Sequence, residues 1–432
     1  MRIDIPLTLI FGPLIAFVIT VLLIMLLRPV AKAAGLIDVP NDRSSHKQPT
    51  PLIGGLAIYI AVACAYSIPA VMGLLPINRG MGSFFIAGLV VVTVGVIDDY
   101  RPLPSSFRFI AQIIASLIMI FGAGVVLDDL GGILPSGEVV SLGWMSLPFT
   151  IFATLGVINA LNMCDGLDGL SGVMSLISLI GLLLVAFLGS AISSAYLLML
   201  LAAAIIGFLV FNLRIFGRNR AVVFMGDAGS MFLGLALTWF AISMSQGAAR
   251  IITPAAALWF LMLPIFDTVV MIFRRIRRRR SPFAPDREHI HHIFQMAGFT
   301  VNETVVVMAA AAMIGVGIGL QSLDMRAPEF SVAGLFAIAG LLYMWMVMRA
   351  WKFMRFIERS ICRRKSGRRS HENRRQNRDA AYSGEERRSG KDRRTGYRRK
   401  PVDGIAPIEV DVPRQHSGSE EYDSTSDSSA NY

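Results

Sequence analysis

The sequence predicts an all-α, polytopic membrane protein, and three observations favour that fold class. Of the 432 residues, 54% are hydrophobic and only 16% are charged, which is far more apolar than an average soluble domain. The apolar residues gather into eleven runs, and a helix crosses a hydrocarbon core of about 30 Å with roughly 20 residues. In lipid, only helices or closed barrels satisfy the hydrogen bonds of the backbone amides. The buried core of a soluble protein would explain one or two such runs, but not eleven.

The eleven predicted spans follow one another along the first 348 residues. They are 5–27, 52–74, 84–97, 107–127, 147–158, 170–188, 191–211, 231–244, 251–273, 301–320 and 330–348. The third, fifth and eighth runs are short. The first run is longer than the apolar part of a typical signal peptide and ends at Arg28 without a clear cleavage site, so we expect it to remain as an anchor.

The distribution of lysine and arginine predicts the orientation of these spans. Connections after odd-numbered spans carry sixteen basic residues, whereas the N-terminus and the connections after even-numbered spans carry four. Because cytoplasmic loops are the ones enriched in basic residues, we expect the N-terminus outside and the C-terminus in the cytoplasm.

The C-terminal part has a different composition. Residues 349–432 contain 21 basic and 13 acidic residues, a net charge of +8, whereas residues 1–348 carry only +3. The segment lacks the apolar content for a core, so we predict two parts: a transmembrane domain, 1–348, and a basic, disordered cytoplasmic tail, 349–432. The tail could contact anionic lipid headgroups or stay solvated, and without a recognisable binding module we expect no nucleic acid as a partner. Three cysteines without framework spacing indicate no structural disulfides.

The dense polar clusters all fall in connections on the predicted cytoplasmic side. Five aspartates stand out there, each beside Gly, Asn or another Asp: Asp98, Asp99, Asp165, Asp168 and Asp227. An isolated carboxylate at a membrane edge most often pairs with an arginine, but five on one side favour a bound cation. An all-oxygen cluster suits Mg²⁺, which takes one or two carboxylates together with water and phosphate.

The segment NALNMCDGLDGLSG, residues 159–172, carries two of these aspartates. Asn159, Asn162 and Asp165 are three residues apart and would share one face of a helix, and Asp168 continues the series. Glycines at 166, 169 and 172 allow close approach by another helix or a ligand. The spacing predicts a polar wall, although a packing face has the same pattern.

Three of the six histidines lie together at His289, His291 and His292, after an arginine run that starts at Arg274. A His-x-His-His cluster is compatible with zinc, but arginines repel a cation and attract phosphate, so we favour a polyanion site. The tight turn Met225-Gly226-Asp227 before Ala-Gly-Ser could present backbone amides to phosphate. Carboxylates, a basic cluster and eleven spans together suggest phosphoryl transfer at a membrane surface.

Five blocks make the chain resemble a known family, the polyprenyl-phosphate N-acetylhexosamine-1-phosphate transferases, which include WecA-type and MraY-type enzymes. The blocks are DVPNDRSSHKQPTPLIGG, IDDYR, NALNMCDGLDGLSG, FMGDAGS and REHIHHIF, in the family's order between about residues 28 and 300. The resemblance implies transfer of a sugar 1-phosphate from a UDP-sugar to undecaprenyl phosphate with release of UMP. It says nothing about the tail.

The resemblance also implies residue roles. Asp227 would bind Mg²⁺, with Mn²⁺ as a substitute, and Phe224 would stack on the uracil. Asp98 and Asp99 would be catalytic, at the reacting lipid phosphate. The nucleotide pocket would be lined by Asn159, Asn162, Asp165 and Asp168. Phosphate contacts would come from His46, Lys47, Arg108, Arg287, His289, His291 and His292, with Gln112 beside Arg108 in an R-x-x-x-Q pattern.

The form REHIHH is similar to the WecA-type branch, which implies UDP-N-acetylglucosamine as donor, undecaprenyl phosphate as acceptor and a first step in O-antigen or related surface polysaccharide synthesis. The location implied is the bacterial inner membrane, with the site facing the cytoplasm. Another UDP-N-acetylhexosamine or a phospho-MurNAc-pentapeptide donor stays open, as does a homodimer. An ion-coupled transporter is the alternative from another class, but transporters keep such carboxylates near the midplane.

Phosphate chemistry favours a direct reaction over a covalent enzyme intermediate. A phosphate monoester has a second pKa of about 6, so the lipid phosphate is mostly a dianion at pH 7 and gains little from a general base. Repulsion from the diphosphate is the larger obstacle, which a metal and basic side chains relieve. We therefore predict single displacement, with Asp98 or Asp99 positioning the lipid phosphate or the metal.

Overall fold

The computed structural model describes residues 7–40, 48–73, 78–215, 217–248, 250–279, 281 and 289–352. All of them lie in the first of two units into which the chain divides, Met1–Arg363. The second unit, Arg364–Tyr432, lies outside the described residues, and so does the predicted tail beyond residue 352.

The described part of the chain is almost entirely helical. Its helices are α1 (Leu7–Ala34), α2 (Gly54–Val71), α3 (Arg79–Tyr100), α4 (Ser105–Leu117), α5 (Ser146–Cys164), α6 (Leu170–Leu188), α7 (Ile192–Asn212), α8 (Gly226–Ser245), α9 (Pro254–Phe260), α10 (Met262–Arg277), α11 (Ile290–Met296), α12 (Val301–Asp324) and α13 (Glu329–Lys352). A π-helical turn, Ile118–Gly122, continues α4, and a 3₁₀ turn, Gly143–Met145, precedes α5.

Among the described residues, ten helices are long and apolar enough to cross a membrane, and the number reaches the predicted eleven when the bent pair α9 and α10 is counted as one span. Helix α13 continues to Lys352, four residues beyond the predicted end of the transmembrane domain. The protein is an all-α polytopic membrane protein.

Helix α8 lies at the centre of the helical bundle. Its span is 94% buried, whereas that of α13 is 17% buried. Helices α3 and α5 pack directly against it, because small residues let the backbones approach. A Cβ on Gly95 of α3 would collide with the backbone at Ala228, so this glycine sets the distance between α3 and the start of α8.

A two-stranded antiparallel pairing connects the loop after α1 to this centre. Strand β1 (Ile37–Asp38) pairs with β2 (Thr50–Pro51). The backbone N–H of Phe224 donates to the carbonyl oxygen of Pro51 at 2.9 Å, and the N–H of Gly54 donates to that of Phe224 at 3.0 Å. The loop before α8 is therefore fixed to the start of α2 through its backbone.

The ninth span is broken, and a proline explains where. Helices α9 and α10 meet at 84° around Leu261. Pro264 has no N–H, so the carbonyl of Phe260, four residues earlier, cannot form its intrahelical bond. Ser178 of α6 donates its hydroxyl to that carbonyl at 2.6 Å instead. The break redirects α10 so that it packs against α5.

Candidate active site

Asp227, the second residue of α8, joins three helices through its carboxylate. Its Oδ1 accepts a hydrogen bond from the side-chain amide of Asn162 on α5 at 2.6 Å. Its Oδ2 lies 3.3 Å from Nη1 of Arg108 on α4. The same amide of Asn162 also reaches the hydroxyl of Ser230 at 2.9 Å. The structure thus brings together Asn162, Arg108 and Asp227, which the sequence alone placed in three separate motifs.

The two adjacent aspartates at the end of α3 have different partners. Asp98 lies 3.2 Å from Arg108 through Oδ2, and its Oδ1 accepts from the backbone N–H of Leu103 at 2.6 Å. Asp99 accepts from the N–H groups of Asp227 and Ala228, at 2.9 and 3.4 Å. Asp99 therefore caps the N-terminus of α8, where unpaired amides and the helix dipole favour a carboxylate.

This capping depends on the backbone at Gly226. The residue has a φ of 73°, and a Cβ there would collide with the carboxylate of Asp99. Glycine is therefore required both for the left-handed conformation and for the approach of α3.

Asn159 lies one turn before Asn162 and uses its amide within the protein. Its Nδ2 donates to Oε1 of Gln112 at 2.8 Å and to the carbonyl of Leu155 at 2.7 Å. Gln112 is 1% exposed. The pair holds α4 against α5, which fixes Arg108, one turn before Gln112, in front of Asp227.

Asp165 terminates α5. Its carboxylate accepts a hydrogen bond from the hydroxyl of Ser171 at 2.5 Å. Burial raises the pKa of Asp165 to about 7; the bond from Ser171 opposes that rise, and the charges of Asp227 and Asp168 add to it. A carboxyl that titrates near neutral pH beside Asp227 is typical of a functional site.

Asp168 does not continue the helical face of α5, and the predicted extension of that series is wrong. Helix α5 ends at Cys164, and Gly169, with a φ of 85°, is the N-cap residue of α6. The side chain of Asp168 is buried, with Oδ2 2.8 Å from Nε of Arg214 and 2.9 Å from the N–H of Ala221. It ties the 165–169 loop to the loop after α7.

The histidine cluster lies against this same loop. A Cβ on Gly166 would come within 2.6 Å of Nε2 of His291, so the imidazole rests directly on the loop backbone. The rings of His289 and His291 stack with centroids 5.5 Å apart, and His292 lies 4.2 Å from His291. The structure therefore joins two motifs that are more than a hundred residues apart in the sequence.

His291 is neutral in this position. It is 1% exposed, and neither ring nitrogen has a hydrogen-bond partner within the described residues. Burial, together with the neighbouring His292 and His289, lowers the pKa of His291 to about 3, although the charge of Asp267 opposes this shift. His291 would therefore contribute a hydrogen bond, and not a positive charge, to phosphate binding. In this respect the histidine cluster differs from a cluster in which every side chain is positively charged.

Asp267 on α10 is a buried partner of this cluster that the sequence motifs do not contain. Its Oδ2 lies 2.8 Å from Nδ1 of His289, and it is 1% exposed. In the sequence it is a single aspartate within an apolar span, and an intramembrane ionisable residue is a signal of function by default.

The donor set at Asp227 fits a divalent cation of the magnesium type. Asp98 and Asp227 both lie within salt-bridge distance of Arg108. Asp99 accepts from the backbone N–H of Asp227, and the charge of Asp227 also acts on Asp165. Among the described residues no three His, Cys, Asp or Glu side chains form a preorganised metal cage. Mg²⁺ needs no such cage, because it usually takes one or two carboxylates and completes its shell with water and substrate phosphates.

The remaining predicted residues divide into two groups. Phe224 precedes Asp227 by three residues, and its half-buried side chain lies at the same end of the bundle, in the loop held by Pro51 and Gly54. His46, Lys47 and Arg287 lie outside the described residues.

Comparison with known proteins identifies the family of this chain. The model of glycosyl transferase family 4 matches residues 81–245, which run from α3 to the end of α8 and include the Asp98, Asp165 and Asp227 motifs. The undecaprenyl-phosphate α-N-acetylglucosaminyl 1-phosphate transferase of Escherichia coli O157:H7 is 35% identical over 322 residues, 74% of this chain and 86% of the relative. The chain belongs to this family.

Further relatives carry the same description. The proteins from Salmonella typhimurium and Haemophilus influenzae are 36% and 32% identical, over 74% and 71% of this chain and 86% and 84% of theirs. The family membership expected from the five sequence blocks is confirmed.

Proposed function

We propose that the protein transfers N-acetylglucosamine 1-phosphate from UDP-N-acetylglucosamine to undecaprenyl phosphate and releases UMP. The observation that carries this proposal is the contact of Asn162 and Arg108 with the carboxylate of Asp227. It is supported by the similarity of the chain to transferases of that description. The site lies where α3 and α5 end and α4 and α8 begin, at one end of the bundle. A position at the helix ends suits substrates that arrive from water and from the lipid surface, and it is unlike the midplane site of a transporter.

In this proposal Asp227 would be the principal ligand of Mg²⁺, with Mn²⁺ as a substitute, and Asp98, Asp99 or Asp165 would complete the protein's share. The chemistry such a cation would supply is neutralisation of charge on the diphosphate of the donor. Asn162 orients the carboxylate of Asp227, and Arg108 supplies the fixed positive charge. The buried imidazoles of His289 and His291 provide hydrogen-bonding groups beside the 165–169 loop.

The reaction proposed is a single displacement. The lipid phosphate oxygen attacks the sugar-bearing phosphorus, the bond to the UMP oxygen breaks, and UMP leaves. Asp99 accepts two backbone N–H bonds at the N-terminus of α8, and Asp98 is held by Arg108, so both carboxylates are engaged in positioning. A nucleophilic aspartate would have to leave those partners first.

We further propose that this end of the bundle faces the cytoplasm of a bacterial inner membrane. Sixteen of twenty basic residues outside the tail lie on that side by sequence, as the distribution rule for cytoplasmic loops requires. The product would then be the first lipid-linked intermediate of an O-antigen or related surface polysaccharide.

The test is a reconstitution of the purified full chain in lipid nanodiscs with undecaprenyl phosphate. UDP-N-acetylglucosamine, UDP-N-acetylgalactosamine and UDP-MurNAc-pentapeptide are supplied separately, and UMP and the lipid-linked sugar are measured. We expect both products with UDP-N-acetylglucosamine and neither without the lipid. Asp129→Asn, which alters a carboxylate at the opposite end of the bundle beside Arg250, is the matched control. The absence of UMP with UDP-N-acetylglucosamine would refute the proposal, and UMP with another donor alone would assign the reaction to that donor.

A further inference from the structure

Asp267 is a buried carboxylate in the part of the ninth span that bends toward the site. Three donors converge on it: the imidazole of His289 at 2.8 Å on Oδ2, and on Oδ1 the N–H of Ile290 and the hydroxyl of Tyr343, both at 3.3 Å. Its side chain is 2% exposed and that of His289 is 7% exposed. An ionised carboxylate only accepts hydrogen bonds, so each of these groups must donate to it.

This arrangement selects the tautomer of the His289 ring. Nδ1 faces a carboxylate oxygen, so in the neutral form of the imidazole the proton resides on Nδ1 and Nε2 is left as the hydrogen-bond acceptor. The bond from Ile290 also attaches the first residue of α11 to α10. One carboxylate thus sets the tautomer of His289, the direction of its ring and the starting point of the helix that carries His291 and His292.

Three elements of the fold supply this site. The break at Leu261 redirects α10 and brings Asp267 to the histidines, and α13 contributes Tyr343 from beyond the residues matched by the family model. Trp351 of the same helix lies under the guanidinium of Arg274, at 4.8 Å from the ring centroid. The last described helix is therefore connected to the histidine cluster through Asp267.

We propose that Asp267 is a positioning residue for the transfer reaction: it holds His289 in the Nδ1-protonated tautomer and orients the histidine cluster against the 165–169 loop. This inference rests on the proposed function. Asp267 itself does not touch the reacting groups; it acts through His289. The geometry is that of a carboxylate that orients a functional imidazole. In such pairs, replacing the carboxylate by the corresponding amide selects the wrong tautomer of the imidazole.

The experiment is a double-mutant cycle in the nanodisc assay. Asp267→Asn preserves shape but presents an N–H to Nδ1 of His289, so we expect kcat/KM for the UDP-sugar to fall about 10- to 100-fold, as for loss of partners that orient functional ligands. His289→Ala should cause a loss at least as large. In the His289→Ala background, Asp267→Asn should cost less than about twofold further, because its effect passes through the imidazole.

A purely structural role gives a different pattern. The losses would then multiply in the double variant and follow the melting temperature. If Asp267→Asn folds poorly, Tyr343→Phe tests the same coupling, because it removes only the hydroxyl that donates to Asp267. We expect a smaller loss of kcat/KM, and we expect that loss to disappear in the His289→Ala background. Asp129→Asn should leave both kinetic constants unchanged.

Two results would overturn the inference: wild-type kinetics for Asp267→Asn, or an undiminished effect of this substitution in the His289→Ala background. Failure of the proposed function is distinguishable, because the unsubstituted protein would then release no UMP from UDP-N-acetylglucosamine. If another UDP-sugar proves to be the donor, the cycle is run with that donor.

Discussion

Gly166→Ala tests whether the histidine cluster must rest on the 165–169 loop for activity. The new Cβ would lie 2.6 Å from Nε2 of His291 and 3.0 Å from Cε1, whereas ordinary contacts begin at 3.4 Å. The φ of Gly166 lies outside the left-handed range, so the substitution adds bulk without backbone strain. The effect is therefore confined to the distance between the loop and the imidazole.

The magnitude follows from how far His291 can retreat. The ring must move by about 0.8 Å to reach 3.4 Å, yet it is 1% exposed and packed between His289 and His292. A misplacement of about 1 Å in a catalytic site costs on the order of 100-fold. We expect kcat/KM for the UDP-sugar to fall by roughly that factor, together with a loss of about 1 to 3 kcal/mol in the free energy of unfolding from overpacking.

The assay is UMP release in nanodiscs with each substrate varied in turn. Gly156→Ala is the matched control, because a Cβ on Gly156 of α5 would have nothing within 4 Å and alanine should be tolerated there. Unchanged kinetics for Gly166→Ala would show that contact between His291 and the loop has no role in turnover.

Three further outcomes are expected. Asp227→Ala or an excess of chelator should abolish turnover, with activity restored to the chelated wild type by Mg²⁺; full turnover in chelator would contradict the metal proposal. Asp168→Asn should lower the free energy of unfolding by about 2 kcal/mol, because a charge-assisted bond to Arg214 is lost. In thermal unfolding of the double variant, Arg214→Ala should not add to this loss. The pKa of His291 is lowered to about 3 in the folded protein, from 6.5. Unfolding therefore takes up a proton below pH 6.5, and stability falls as pH decreases toward 3, by up to about 1.4 kcal/mol per pH unit; His291→Phe should flatten that part of a melting-temperature profile, and an unchanged profile would contradict the buried neutral imidazole.

The spans and the polar motifs could be predicted from the sequence because their signals are local. A run of apolar residues identifies a span wherever it packs. The break in the ninth span, which was predicted as one continuous run over 251–273, emerged only from the structure. The glycines of the 159–172 segment also had the predicted use, since Gly166 admits His291 and Gly172 admits Leu209. Family membership followed from the order of five motifs.

The partners of individual side chains could not be predicted in this way. Asp168 has the spacing of a pocket residue, yet the end of α5 at Cys164 turns it toward Arg214. A carboxylate four residues beyond the end of a helix has no helical face to share. Likewise, sequence reasoning treated Asp98 and Asp99 as equivalent, whereas one faces Arg108 and the other caps α8.

The sequence by itself determined that this protein lies in a membrane, where its spans fall and which polar residues lie at the membrane edge. It could do so because hydrophobicity and loop charge are additive along a chain. Only the tertiary structure decided that Asn162, Arg108 and Asp227 meet, and that Asp267 fixes His289. Hydrogen bonds and ion pairs depend on distance and angle within a few tenths of an ångström, and those are set by how α3, α4, α5, α8 and α10 pack, not by any residue's neighbours in sequence.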